Sequence, residues 1–228
     1  MPDFRNNRSH FRLHTDPAAW SGWRKIFLKG KDVLFPKRIP IIEQGEEIDR
    51  LLYVISGIVE YTHTNDEGVE TLLDVMGAGN VIGLQPFFQR EPAIASFIAM
   101  SDVVAVSLER DEVYSNMKKD NSLALEMSVE LCKILEGMVG HHISTNTTNA
   151  KRRIVDFICA LCETDKGETH KDGRIFVRIS QDELARVTRT TRVTIAMALR
   201  ELKAEKLLET AYGGIFVNDY ADLKASAR

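Results

Sequence analysis

The sequence predicts an α+β chain of two domains: a β-rich N-terminal half, a long helix, and a C-terminal half built on a winged helix-turn-helix. Three observations carry that prediction. Short β-branched runs punctuated by glycine fill residues 31–109, and apolar residues at helical spacing begin at Leu123. From Ile179 to Tyr220 a capped short helix, a tight turn, a longer helix and a hairpin occur in order.

The β-rich half rests on five runs: Leu51–Ile55, Ile58–Tyr61, Thr71–Met76, Ile94–Ala99 and Val103–Leu108. Turn signals at Gly45, Gly57, Asp66–Gly68, Gly77, Gly79 and Gly83 separate them, the pattern of an antiparallel sandwich or barrel. Asn65–Asp66–Glu67–Gly68 reads as a hairpin loop. Residues 1–30 read as an irregular lead-in whose Trp20 and Trp23 pack on the chain after them.

The long helix shows two apolar stripes. One runs through Leu123, Met127, Leu131, Ile134 and Met138, the other through Leu125, Val129, Cys132 and Val139. A helix with two apolar faces must bury both. One face is expected on its own β-domain and the other against the same helix of a second subunit, making a homodimer; burial inside a monomer core is the alternative. Gly140 and the polar run Ser144–Asn149 are expected to break the helix and form a hinge. The expected boundaries are therefore 1–30 for the lead-in, 31–110 for a β-barrel domain, 111–148 for dimerisation helix and hinge, and 149–228 for the winged helix-turn-helix.

A further helix comes next, with Ile154, Phe157, Ile158 and Leu161 on one face. Ile175–Arg178 reads as a strand leading into the motif. Ser180 and Glu183 have the spacing of a capping box. Leu184 and Val187 face inward, and Ala185 is small where a second helix must cross. That helix is expected to begin near Thr190 or Thr191, with Ile195, Leu199 and Leu202 as its buried face. Gly213–Gly214 is the turn of a hairpin behind it.

A helix of this kind fits the DNA major groove, where an arginine on its first turns can donate two hydrogen bonds to guanine. Arg192 is the expected base reader. Ser180, Thr190 and Thr191 suit phosphate oxygens, Gln181 suits base or phosphate, and Val193, Thr194 and Met197 complete the face. An arginine on a helix surface is also commonly just solvated.

Composition agrees. The chain has 228 residues, ordinary for two domains, with 44% apolar and 28% charged residues. No stretch approaches the ~20 apolar residues of a membrane helix, and MPDFRNNRSHFRLH lacks a secretory apolar segment. Three cysteines make no disulfide framework, which points to the cytoplasm. The net charge of −3 is uneven: residues 1–149 hold 15 Lys/Arg against 21 Asp/Glu, residues 150–228 hold 15 against 12. The basic half is the one expected to meet phosphates.

On IIEQGEEIDRLLYVISGIVEY, EGVETLL, GNVIGLQPFF, AKRRIVDFI and the 179–209 motif, residues 31–220 resemble the CRP/FNR superfamily of bacterial regulators. The resemblance implies a β jelly-roll (double-stranded β-helix) sensor, a dimerisation helix and a winged helix. It also implies a homodimer on roughly palindromic double-stranded DNA, and contact with RNA polymerase if the protein activates. Arg192 matches the family's guanine-reading arginine. Three positions depart from the pattern: Arg189 stands where the turn usually has glycine, Val193 where glutamate is frequent, and Met197 where arginine or serine is common. The valine implies a half-site richer in A and T than the TGTGA type, through contact with thymine methyls.

Cyclic-nucleotide binders of this fold carry glutamate after the Ile-Gly pair and an Arg-Ser or Arg-Thr pair further on. Here Leu84 follows Ile82–Gly83 and the later stretch is Pro92–Ala95, so no cyclic nucleotide is expected. The N-terminal region has no cysteines for an iron–sulfur cluster. Haem stays open through His63, His141 or His142, and a redox role through Cys159-x-x-Cys162, though both patterns more often belong to ordinary surface and core. The remaining expectation is a small apolar effector lined by Val81, Leu84, Phe87, Phe88, Met127 and Leu131, residues that equally suit a plain core. The QGEE turn, the Asn80–Gly83 segment and Val193 resemble the halorespiration (CprK-like) members.

An enzyme is not expected: the β-region offers only His63 as an imidazole ligand, and the chain has no nucleophile elbow, P-loop or HExxH. The other alternative is a ligand-binding module whose helix-turn-helix contacts only protein.

Overall fold

The computed structural model describes Phe11, Leu13, residues 20–164 and residues 166–227. The chain divides into two compact units, one drawn from residues 12–136 and one from 137–228 together with Phe11.

The first unit begins with α1 (Ser21–Phe27), then β1 (Lys31–Phe35), β2 (Pro40–Ile42), β3 (Arg50–Ser56), β4 (Val59–Thr64), β5 (Glu70–Met76) and β6 (Val81–Ile82). The helix α2 (Leu84–Gln89), strands β7 (Ser96–Ala99) and β8 (Val103–Glu109), and the helix α3 (Arg110–Lys119) come after them. The strands form two antiparallel sheets, ordered β1-β8-β3-β6 and β2-β7-β4-β5. First pairs with last and second with second-last, inward to the β4–β5 hairpin, which is the nested order of a jelly roll. The hairpin is closed by Asn65, whose Oδ1 accepts from the Glu67 and Val69 N–H groups. Between β3 and β4, Gly57 turns at φ +97, and a Cβ there would overlap the Asp102 carbonyl oxygen, so only glycine fits.

Leu51, Leu52, Val54, Val59, Val103 and Ala105 are fully buried between the sheets. The lead-in is less irregular than its sequence suggests. Ser21–Phe27 forms α1, and Trp20, Trp23 and Phe27 join the same core; residues 1–10, 12 and 14–19 lie outside the described residues.

The long helix α4 spans Ser122–Thr147. Leu123 and Met127 are buried and Ile134 packs on the barrel core. The expected break at Ser144 does not occur. Asn146 donates to the His142 carbonyl at 2.8 Å and Thr147 to that of Ile143 at 2.9 Å, so polar side chains here satisfy helical carbonyls and the helix continues to Thr147. Asn149 then caps the next helix, accepting from the Arg152 N–H.

The second unit continues with α5 (Ala150–Cys162), β9 (Gly167–Thr169), β10 (Ile175–Val177), α6 (Gln181–Val187), α7 (Arg192–Ala204), β11 (Leu208–Ala211), β12 (Gly214–Val217) and α8 (Tyr220–Ala225). Its sheet is antiparallel in the order β11-β12-β10-β9. Ile154, Phe157, Leu184, Ile195, Leu202 and Leu223 are buried beneath the helices, each such side chain stabilising the fold by about 1.5–3 kcal/mol relative to exposure.

Candidate nucleic-acid interface

The pair α6–α7 is held at its ends by short-range capping. Ser180 Oγ accepts from the Glu183 N–H at 3.2 Å while Glu183 Oε2 accepts from the Ser180 N–H at 2.8 Å. Thr191 Oγ1 accepts from the Thr194 N–H at 3.1 Å and lies 2.9 Å from Thr194 Oγ1. The hydroxyls of Ser180 and Thr191 thus fix where the two helices begin. Thr190 turns its N–H to the Ala185 carbonyl at 2.9 Å. Arg189 occupies the glycine-like corner of the turn at φ +49, and Gln181 is exposed on the first residue of α6.

From α5, Arg153 donates through Nε to the Thr188 carbonyl at 3.0 Å and through Nη1 to the Thr148 carbonyl at 2.5 Å. Its pKa is held below the ordinary guanidinium range, first by burial and second by the charge of Arg189. The turn is therefore anchored from behind by a cation.

Opposite the buried Ile195, Ala198, Leu199 and Leu202, α7 presents Arg192, Val193, Ala196, Met197 and Arg200. Val193 is 69% exposed and Met197 51%. Neither side chain is packed into this unit, so the apolar pair is a feature of the outward face. Arg192 Nε lies 2.8 Å from Asp182 Oδ1 on α6. Sequence reasoning passed over Asp182 and Arg200. Arg200 was detectable, seven residues on from Val193 and hence on the same face; Asp182 was not, because the pairing depends on how α6 crosses α7. Beyond them, Tyr212 stands fully exposed at the tip of the β11–β12 hairpin.

In the first unit Val81, Leu84, Phe87 and Met127 all belong to the packed core, with Phe88 against it, while Leu131 is 41% exposed. The Arg110 guanidinium lies 4.3 Å from the centre of the Phe87 ring and donates to the carbonyls of Phe87 and Ile48 at 2.6 and 2.7 Å. A groove open to solvent lies nearby, bordered by Arg90, Asp111, Tyr114, Ser115 and Lys118; none of the expected lining residues borders it. Ala93 and Ala95 are buried and Ile94 is exposed. His63 Nδ1 sits 2.8 Å from the Ile94 carbonyl. His141 is buried edge-on to Phe11, and Cys159 is buried while Cys162 is partly so. Among the described residues no three His, Cys, Asp or Glu side chains gather as a metal site, and no helix is long and apolar enough to cross a membrane.

A jelly-roll domain followed by a long helix and a winged helix-turn-helix defines a DNA-binding transcription regulator with an N-terminal effector-binding domain. Residues 32–120 match the cyclic nucleotide-binding domain family, and residues 152–226 match the Crp-like helix-turn-helix domain. The chain belongs to the CRP/FNR superfamily. It is similar to the CRP-like cAMP-activated global transcriptional regulator of Mycobacterium tuberculosis, 23% identical over 194 residues, covering 85% of this chain and 87% of that protein. In fold it is similar to a CRP/FNR-family transcriptional regulator from Thermus thermophilus, with a TM-score of 0.72, 24% identity, and coverage of 86% and 98% of the two chains. The structure of CprK complexed with OCPA gives a TM-score of 0.58 at 22% identity, covering 90% of this chain and 93% of that one. The relatives are transcription regulators, not enzymes, and CRP-like regulators bind DNA as dimers.

Proposed function

We propose that the outward face of α7 reads a roughly palindromic duplex as a homodimer, with Arg192 donating to a guanine and Val193 and Met197 contacting thymine methyls. The observation that carries this reading is the exposure of Val193 and Met197 beside Arg192 on a helix whose other face is fully buried. Ser180, Gln181, Arg189, Thr190, Thr191 and Thr194 line the ends of α6 and α7, where the helix N-termini and the Gln181, Arg189 and Thr190 side chains suit backbone phosphates while the Ser180, Thr191 and Thr194 hydroxyls hold the caps. The second subunit covers the outer stripe of α4, where Leu125, Val129, Leu135, Val139 and Ile143 are exposed. The protein works in the cytoplasm.

The effector is small, largely apolar and not a cyclic nucleotide. Its place is beside Val81, Leu84, Phe87, Phe88, Met127 and Leu131, where it enters by displacing packed side chains. Relatives are described as cAMP-activated, but Leu84 and Pro92–Ala95 supply neither carboxylate nor guanidinium at the two positions that a ribose phosphate requires. The regulator described with OCPA offers the nearer chemistry. Burial pushes both thiols of the Cys159–Cys162 pair up to about 12, which favours packing over redox chemistry.

Selection of duplexes from a random pool by the full-length protein tests the DNA reading. An A/T-rich palindrome with one guanine per half-site is expected, with affinity falling steeply as salt rises. Recovery of a TGTGA-type half-site, or no preference over competitor DNA, would overturn it. Native mass spectrometry and an absorption scan of the purified protein then test for a bound apolar molecule against a haem or nucleotide.

A further inference from the structure

The Asp182–Arg192 pair joins the first turns of the two helices, and each partner leaves a backbone that is already fixed. Asp182 lies inside the Ser180–Glu183 capping box, and Arg192 follows the Thr191 cap. Both side chains are well exposed, at 63% and 72%. An exposed ion pair alone contributes little to folding, so folding does not account for this contact. We infer that Asp182 is a positioning residue that sets the base specificity of Arg192. This inference rests on the readout reading above.

The Asp182 carboxylate stands beside Arg192 Nε, with Oδ1 2.8 Å away as an ion pair. The carboxylate occupies the Nε side of the guanidinium, which leaves the donors on Nη1 and Nη2 as the edge open to guanine O6 and N7. A long side chain restrained before binding loses less freedom on contact and samples fewer alternative partners. The carboxylate also carries a negative charge into a surface that faces phosphates, which lowers affinity for every duplex alike. Asp182 therefore trades general attraction for discrimination.

The test uses the full-length protein and the duplex recovered by random selection, alongside the same duplex with the Arg192-contacted G·C pair changed to A·T. The readout is the ratio of the two affinities for the wild type, Asp182→Ala, Asp182→Asn, Arg192→Ala and the double variant with Asp182→Ala, with thermal melting as a check on folding. Asp182→Ala should lower the ratio about three- to tenfold and raise affinity for random duplex. Asp182→Asn, which keeps a polar side chain of the same reach beside Nε, should retain more of the ratio than Asp182→Ala. In the Arg192→Ala background, removing Asp182 should leave the ratio unchanged. An unchanged ratio in Asp182→Ala, equal loss in Asp182→Ala and Asp182→Asn, or equal loss in both backgrounds would overturn the inference while leaving base readout by Arg192 intact. A ratio unaffected by Arg192→Ala itself would overturn the readout reading, and this inference with it.

Discussion

The carboxylate of Glu126 caps the first turn of α1 from 104 positions along the chain: Glu126 Oε1 accepts from the Gly22 N–H at 2.9 Å. Its Oε2 accepts from the N–H groups of Gly22 and Trp23, both at 3.1 Å, and its Oε1 from the Ser21 hydroxyl at 3.0 Å. Trp23 Nε1 completes the junction with a 2.9 Å bond to the Leu123 carbonyl. A seven-residue helix has too few internal bonds to persist alone. What holds α1 is α4 beneath it.

Glu126→Ala should therefore release α1, at a cost of about 2 kcal/mol for the lost charge-assisted bonds. Trp20 and Trp23 are the two tryptophans of the chain and both are buried, so a red shift of the emission spectrum reports the release directly. Gly22→Ala should act in the same direction, since its Cβ would stand 2.8 Å from Glu126 Oε2 and 2.9 Å from the Leu123 side chain. Unshifted emission in both variants would mean that side-chain burial alone docks the helix.

Arg189 offers the opposite sign. At φ +49 it sits where an L side chain crowds its own backbone, and its charge bears on the half-buried Arg153. Arg189→Gly should relieve both and stabilise the C-terminal unit by about 0.5–1 kcal/mol, after allowing for the greater freedom of glycine in the unfolded chain. If Arg189 contacts a phosphate, the same variant lowers the slope of log affinity against log salt by about one. Denaturant titration and binding at several salt concentrations read the two effects separately.

These cases mark what could be seen in the sequence. The strands β3, β4, β5, β7 and β8 stand out as apolar β-branched runs between glycines, and the caps at Ser180 and Thr191 are local patterns with fixed spacing. Strand β1 hides because KDVLF carries a charge pair and is half exposed, and β6 has only two residues. The helix α1 hides because its cap comes from α4. The Asp182–Arg192 pair hides because a helix crossing decides it. Val81, Leu84, Phe87 and Met127 show a different limit: an apolar residue looks the same in sequence whether it lines a pocket or fills a core, and the structure places these four in the core.

Val129 lies on the exposed stripe of α4, flanked by Leu125 and Cys132. In the proposed dimer, Val129→Asp would bury an unpaired carboxylate in the subunit contact, which costs about 3 kcal/mol or more. The dimer dissociation constant should rise on the order of 100-fold, while thermal unfolding of the β-barrel changes little because Val129 faces away from it. Sedimentation equilibrium measures the shift. A dimer of unchanged strength would place the subunit contact on another face.

Cysteine labelling distinguishes both helices at once. Burial, then the neighbouring Cys162, Asp156 and Glu163, pushes Cys159 up from 9.0 to about 12; burial, then Glu163, does the same for Cys162. At pH 7.5 the thiolate fraction of each is about 1 in 10⁴ to 10⁵, so iodoacetamide should leave both unmodified until the unit unfolds. The sign for stability comes from the raised values. The thiols' contribution is complete below pH 9 and is lost as pH climbs towards 12, because the unfolded chain releases these protons first. Cys132 is exposed on the α4 stripe proposed for the dimer contact and should label slowly in the wild type and readily in Val129→Asp. Rapid native labelling of Cys159 would contradict the packing role given to the pair, and equal labelling of Cys132 in both proteins would contradict the α4 contact.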